Sequence, residues 1–395
     1  MSDSSTLNHA ARVLAAVVPD LPADAALRRY LGNARHLGPR ERRSISAAVF
    51  AYFRWFRWLG TKASSQKQVE EALSMGERFN RDPRSVKAEA LAALAVPPWL
   101  GNEMELPVEF LRQLQREPVL WLRARPGMAA RLAADLGDCV ATPIAPDALR
   151  YNGAKDLFLT PQFHAGAFEI QDLASQLVGH LAAPAPGQAW WDACAGEGGK
   201  TLHLADLLQN RGVVWATDRS LRRLGVLKRR AARARLFNCR TEAWGWEHEG
   251  SRPASAGPAG PVRLPFKTKF DGVLVDAPCS GVGTWRRNPH ARWTTSQRDV
   301  HELSAIQASL LRRAAEAVRP GGSLVYSVCT LTRSETTEVA SSFSAGHPEF
   351  EPEARILPGT AFAEAAESQG TAVFLRPHAL DANGMFVAVW RRRKT

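Results

Sequence analysis

The stretch WWDACAGEGGKT, residues 190–201, reads as a buried strand running into a glycine-rich turn and then a helix. The strand is Gln188–Ala193 and the helix Thr201–Leu208. Glycines at such a turn let the backbone pass close to a ligand at the carboxyl edge of a parallel sheet. Working outward, candidate strands recur at Val213–Thr217, Phe270–Val275 and Ser323–Val328. A helix over Gln297–Val318 carries Leu303, Ile306, Leu310 and Val318, and Gly321 lies just past its end. Strands alternating with helices predict an α/β fold whose parallel sheet is covered on both faces. Two late strands, Thr371–Leu375 and Met385–Trp390, read as a closing antiparallel pair, and HEGSRPASAGPAGP (248–261) reads as an insertion without periodicity.

Upstream of the turn the pattern changes. Residues 1–95 read as helical: Leu7, Ala10, Val13, Leu14, Val17 and Val18 keep helical spacing, and Arg42–Leu59 carries Ile45, Val49, Phe53 and Phe56 on one face. Arg42, Arg43, Arg54 and Arg57 interrupt that second stretch, as a solvated basic face or an RNA contact. GERFNRDPRS (76–85) reads as a loop, and Pro97 and Pro98 break the pattern. Within 96–165, VLWLRAR (119–125) alternates like a strand and PGMAARLAADLG (126–137) reads as a short helix. The expected organisation is therefore a helical domain over 1–95, a small α/β module over 96–165 and a larger α/β domain over 166–395.

Composition bounds the partners. The chain has 395 residues, 45% hydrophobic and 23% charged, which fits folded domains and excludes wholesale disorder. Lys+Arg 51 against Asp+Glu 39 leaves +12, a balance that favours a polyanion partner. No uninterrupted apolar run approaches the ~20 residues of a membrane span. The start MSDSSTLNHAARV lacks a secretory pattern. Five widely spaced cysteines without a CxxC argue against a disulfide framework or a metal site, and for reduced thiols in the cytoplasm.

Three ligand readings compete for the glycine turn. A Walker A loop fails because its first position is Cys194, and a dinucleotide fingerprint fails because its third glycine position is Thr201. The third reading is the acidic-plus-glycine motif of S-adenosylmethionine enzymes, with Asp192, Gly196 and Gly198; the loop Cys194, Ala195, Gly196, Glu197, Gly198, Gly199 and Lys200 would line the cofactor. Asp218, at the end of the next strand, is placed to accept two ribose hydroxyls; its alternative role is to cap the helix from Ser220 onward. Eight basic residues and no acid lie between Arg219 and Arg235, a stripe that favours an anionic surface partner.

Two further strand ends carry cysteines: DAPCSGVGTWRRNPHARW (276–293) and CTLTRSE (329–335). Together with DACAGEGGKT, FEIQDLASQL (168–177) and the terminal DANGMFVAVW, they resemble the RsmB/NOP2/NSUN family of RNA cytosine-5 methyltransferases. LGPRERRSI within residues 1–60 is similar to the NusB-like helical domain of the bacterial RsmB branch. The resemblance implies a class I, Rossmann-like S-adenosylmethionine methyltransferase sheet, preceded by a small RNA-recognition module and the helical domain. It implies a monomer acting on small-subunit rRNA rather than tRNA, with Cys329 as nucleophile, Cys279 assisting release, and Asp276 also beside the cofactor.

The chemistry fits those residue types. Cytosine C5 is a poor nucleophile until a thiolate adds at C6. A thiol of pKa ~8.5 is only a few per cent ionised at pH 7, so a cation such as Lys200 would help. Asp276 would bond the cytosine amino group or protonated N3, and Arg286, Arg287 and Arg292 would bind phosphates. Spacing alone does not say which cysteine attacks. An amine methylase would typically show a DPPY-like turn where this chain has Asp276-Ala277-Pro278-Cys279. The rival readings are a non-catalytic RNA-binding factor and a tRNA or DNA cytosine methylase.

The chain departs from the family at several positions. Glu197 stands in place of the usual Pro, His290 and Arg292 replace Asp and Lys, and Thr336 replaces Asn. The usual third-motif Asp is absent: NCRTEAWGWE (238–247) offers Gly245 near that place, with Glu242 and Glu247 at other spacings. Trp244 or Trp246 would stack on the adenine or pack in the core.

Overall fold

A computed structural model of the chain describes residues 3–244, 264–357, 362 and 366–394. The insertion read at 248–261, and Gly245, Trp246 and Glu247, lie outside the described residues.

The chain forms two compact units, one of residues 1–118 with 281–299, the other of residues 119–280 with 300–395. These boundaries differ from the three-part reading. Residues 96–118 fall with the helices, and 119–165 fall with the large sheet.

The first unit is helical, with Ser4–Ala15, Ala23–Asn33, Pro39–Trp55 and Ser65–Arg81 as its longest members. Ala10, Val13, Leu27, Ile45, Val49, Phe53 and Val69 form one buried cluster, which is the apolar face read from their spacing. Residues 76–81 do not form a loop: the helix capped by Ser64 runs on to Arg81, because Phe79 is fully buried against Trp55, ring centroids 5.5 Å apart. That packing overrides the polar look of GERFNR.

The turn after Cys279 joins this unit, and its arginines correct the phosphate reading. Arg292 is wholly buried and donates to the carbonyls of Ala95 and Leu114 at 3.0 and 2.9 Å. Arg286 is also buried and donates to the Glu117 carbonyl. Burial, and then the charge of Arg54, pulls the Arg292 guanidinium down to about 9, so it stays protonated at neutral pH. Of the three arginines only Arg287 is exposed. The guanidiniums serve helix ends and loop carbonyls that would otherwise lack donors.

In the second unit a four-stranded antiparallel sheet comes first. Its strands are β1 (Leu120–Ala124), β2 (Cys139–Ala141), β3 (Ala148–Tyr151) and β4 (Phe168–Ile170), in the order β2-β3-β1-β4. The helix Ala129–Leu136 covers it through Leu132 and Leu136. Buried Arg123 on β1 reaches Gln171 at 2.7 Å and pairs with Asp206 on the helix Gly199–Leu207. This buried pair, with Arg125 on the other Asp206 oxygen, ties the small sheet to the large one.

The large sheet contains β5 (Ala189–Asp192), β6 (Val213–Asp218), β7 (Cys239–Ala243), β8 (Phe270–Asp276) and β9 (Val318–Val328). It is completed by β10 (Phe350–Pro352), β11 (Ala366–Gln369), β12 (Ala372–Leu375) and β13 (Met385–Arg392). Its order is β11-β12-β13-β9-β8-β5-β6-β7, with β10 pairing β13. Neighbours from β7 to β9 are parallel, while β13 runs antiparallel to β9 and β12. The expected parallel sheet and its closing antiparallel pair are thus present. The helix starting at Gln297 ends at Ala315, short of the expected Val318, because Val318 pairs with Phe270 and opens β9. Gly321 therefore does not cap that helix; it sits inside β9 at φ +74°. The order reverses around β5, so the carboxyl ends of β5, β6, β8 and β9 open at the switch point where such sheets keep their ligands.

Candidate active site

Each strand of the parallel core delivers one part of the site. After β5 the turn puts Gly196 at φ +55° and Gly198 at φ +89°. A Cβ on Gly198 would lie 2.6 Å from Leu227 Cγ, so the turn packs tightly against the next helix. A Cβ on Gly196 would meet nothing within 4 Å, so that side of the turn is open to a ligand. Asp192, fully buried, accepts from Thr201 Oγ1 at 2.6 Å and holds the turn to the helix it starts. Burial pushes its carboxyl up to about 7. Cys194 stays a thiol, since burial and then the carboxylates of Asp192, Asp276 and Asp218 raise it well above its ordinary value.

Asp218 ends β6 with its carboxylate between two backbone donors, Gly196 N–H at 3.0 Å and Ser220 N–H at 2.7 Å. The sequence left ribose binding and helix capping as alternatives. Asp218 tethers both the glycine turn and the start of the helix Leu221–Arg233, and its two oxygens keep acceptor capacity for hydroxyls. An open glycine turn beside a carboxylate at the second strand end fits the ribose and chain of S-adenosylmethionine. Asp218→Ala removes charge-assisted bonds of ~1.5–3 kcal/mol, so affinity is expected to fall roughly 10- to 150-fold. Isothermal calorimetry checks this, and an unchanged dissociation constant would remove Asp218 from the cofactor site.

Just past β7, Trp244 is buried edge-on to Trp191, ring centroids 5.1 Å apart, so it packs in the core. Glu242 is exposed on β7 itself.

β8 and β9 lie side by side, with Asp276 opposite Ser327. Asp276 receives Lys200 Nζ at 2.7 Å on one oxygen and Ser327 Oγ at 2.8 Å on the other. Burial opposes the Lys200 charge, but Asp276 outweighs it and holds the ammonium above its ordinary range. Just beyond, Cys279 Sγ and Cys329 Sγ stand 3.2 Å apart, both partly exposed. The hydrogen bond from Cys279 holds Cys329 below its ordinary pKa against the opposing effect of burial; Lys200 helps, and Asp276 and Glu335 oppose. The site therefore brings together Lys200, Asp276, Cys279 and Cys329, with the glycine turn and Asp218 at neighbouring strand ends.

Sequence reasoning missed Glu335, Ser280, Ser327, Gln307 and Tyr326, which surround the cysteine turns. Glu335 and Ser280 lay inside quoted motifs without a role. Gln307 did carry a signal: it is a polar residue between Ile306 and Leu310 on the apolar stripe of its helix.

The basic stripe also divides. Arg230 and Arg233 both pair with buried Glu169, and Arg230 also donates to the Glu197 carbonyl. Arg219, Arg222, Arg223, Lys228, Arg229 and Arg235 are exposed.

Residues 180–391 match the family described as 16S rRNA methyltransferase RsmB/F. The chain belongs to the RsmB/F family. A probable ribosomal RNA small subunit methyltransferase B of Bacillus subtilis (strain 168) is 34% identical over 239 residues, 58% of this chain and 49% of that protein. The tRNA (cytosine(72)-C(5))-methyltransferase NSUN6 of Mus musculus is 36% identical over 186 residues, 46% of this chain and 38% of that one. The chain thus spans about half the length of the curated relatives it matches. A solved structure, PH0851, is similar with a TM-score of 0.76 over 99% of this chain and 100% of that chain, at 20% identity. That likeness shows the fold: a Rossmann-like methyltransferase sheet in a mixed α/β chain, with a helical N-terminal part consistent with a NusB-like domain. Among the described residues no helix is long and apolar enough to cross a membrane.

Proposed function

We propose that this RsmB/F family member is a cytoplasmic S-adenosylmethionine-dependent RNA cytosine-5 methyltransferase acting on small-subunit rRNA as a monomer. The observation that carries the reading is the thiol pair, 3.2 Å apart beside the Lys200–Asp276 ion pair. Amine or hydroxyl methylation has no use for two adjacent thiols, whereas C5 methylation uses one to attack C6 and one to help undo that bond. Two relatives support the substrate class by their names, one an rRNA methyltransferase and one a tRNA cytosine-C5 methyltransferase.

In this mechanism the glycine turn and Asp218 hold S-adenosylmethionine, which supplies an electrophilic methyl group. Cys329, as thiolate, adds to C6 of an unstacked cytosine and makes C5 nucleophilic. Asp276, fixed by Lys200 and Ser327, accepts from the cytosine amino group and selects cytosine over uracil. After C5 is methylated, Cys279 gives its own proton to solvent and, as thiolate, takes the C5 proton directly or through water. The electrons of the C5–H bond reform the C5–C6 double bond and expel the Cys329 thiolate. Lys200 steadies that thiolate both on attack and on release.

The test is bisulfite sequencing of total RNA from a deletion strain with and without the restored gene. One small-subunit rRNA cytosine that loses and regains protection supports the reading. Protection lost in tRNA alone would move the substrate to tRNA, and no change in any RNA would overturn the activity.

A further inference from the structure

We propose that Glu335 is a positioning residue of the covalent step, the buried anchor that holds the Cys279 turn against the Cys329 turn; this rests on the proposed function. Glu335 is fully buried just past β9. One of its oxygens accepts from Ser280 N–H at 2.8 Å and from Gln307 Nε2 at 2.9 Å. The other accepts from Ser280 Oγ and from Thr332 Oγ1, the latter at 2.8 Å. The carboxylate thus binds the residue directly after Cys279 twice and a residue three beyond Cys329 once.

Further bonds close the clamp. Gln307 Nε2 donates to the Pro278 carbonyl at 2.9 Å, Tyr326 Oη lies 2.9 Å from Gln307 Oε1 and 2.6 Å from the Glu335 carbonyl, and Ser280 Oγ lies 3.0 Å from Thr330 Oγ1. The residues on both sides of Cys279 and the one after Cys329 are therefore held by one network. A buried carboxylate with four donors is over-determined in position, and it transmits that to the two sulfurs. Its charge has a separate effect. The groups facing Cys329 are Cys279 and Asp276 from β8 and its turn, Lys200 from the helix after β5, and Glu335 itself; the two carboxylates oppose the thiolate.

The role and the charge separate in two variants. In Glu335→Gln the amide oxygen keeps the Ser280 and Gln307 N–H bonds. The amide nitrogen donates to the Ser280 and Thr332 hydroxyls, which can reverse because a hydroxyl both donates and accepts. Geometry is retained and a negative charge is lost. The midpoint pH for alkylation of Cys329 by iodoacetamide, read by mass spectrometry of its peptide, is expected to fall by about half a unit or more. Glu335→Ala loses the same charge, but the clamp opens and the thiol–thiol bond, the largest influence on Cys329, goes with it, so that midpoint is expected to rise. Methyl transfer to RNA should fall roughly 100-fold or more in Glu335→Ala and stay within about threefold in Glu335→Gln, while S-adenosylmethionine affinity in both stays within about threefold of wild type. Midpoints unchanged in both variants would overturn the proposal. So would loss of S-adenosylmethionine binding in Glu335→Ala, which would make Glu335 a general element of the fold. If the midpoints move as expected but the wild-type protein methylates no RNA, the positioning role stands and the proposed function fails.

Discussion

Cys279→Ala is expected to leave the protein covalently attached to its RNA, seen as a slow band on denaturing gels, whereas Cys329→Ala abolishes both methylation and the attachment. The physical basis is the order of bond changes. Attack at C6 needs only a thiolate and an unstacked cytosine, so it survives loss of Cys279. Elimination needs the C5 proton to depart, so it stalls when the group that takes that proton is missing. The adduct should require S-adenosylmethionine, because before C5 is methylated the C6 addition reverses freely. At 3.2 Å the two sulfurs are close enough to face one base, and the hydrogen bond from Cys279 holds Cys329 below its ordinary pKa. That direction suits the proposed attack by Cys329, where spacing along the chain left either cysteine open. The attack should therefore gain rate as pH rises through a midpoint below the ordinary thiol value, and lose it below that midpoint as Cys329 protonates. Trapping by Cys329→Ala with a silent Cys279→Ala would reverse the two roles and point to a DNA-type mechanism. Full activity in both variants would remove the covalent route.

RNA affinity should drop steeply with salt. Six exposed basic residues, Arg219, Arg222, Arg223, Lys228, Arg229 and Arg235, lie on or beside one helix without an acidic neighbour in that stretch. If each neutralises one phosphate of a single strand, affinity falls roughly 300-fold between 50 and 200 mM salt. Replacing Arg222, Arg223 and Arg229 together by alanine should halve the logarithmic slope, and Arg287→Ala should weaken binding modestly. Arg292→Ala belongs to a different class. It strips donors from two buried carbonyls and is expected to lower the urea midpoint without changing the slope. A flat titration for the wild-type protein would reduce the +12 charge to a solubility feature.

How much of this was legible in the chain follows from the range of each interaction. The parallel core was readable because β5, β6, β8 and β9 announce themselves by short apolar runs, and the glycine turn by positions that must adopt positive φ. The two cysteines and Asp276 were readable because each sits at the end of such a run, where a parallel sheet keeps its chemistry. Asp218 was half legible: its place at a strand end showed, and its simultaneous hold on Gly196 and Ser220 did not.

What the tertiary structure decided was which charges face inward. Arg287 and Arg292 look equivalent in WRRNPHARW, yet one is exposed and the other lies wholly buried against carbonyls nearly 180 and 200 positions away. Arg230 and Arg229 are neighbours in one basic stripe, and only Arg230 reaches Glu169. The helix ending at Arg81 ran through a stretch that reads as a loop, because Phe79 finds Trp55. Glu335 carries no local mark of its role, since its four donors come from residues 280, 307 and 332. Backbone periodicity is a local property, set by side chains a few positions apart, so sequence alone determined the core strands β5, β6, β8 and β9, the glycine turn and the place of the two cysteines. The partner of a buried charge is set by chain segments brought together only on folding, so the fold alone determined which arginines stay exposed and what holds the two sulfurs together.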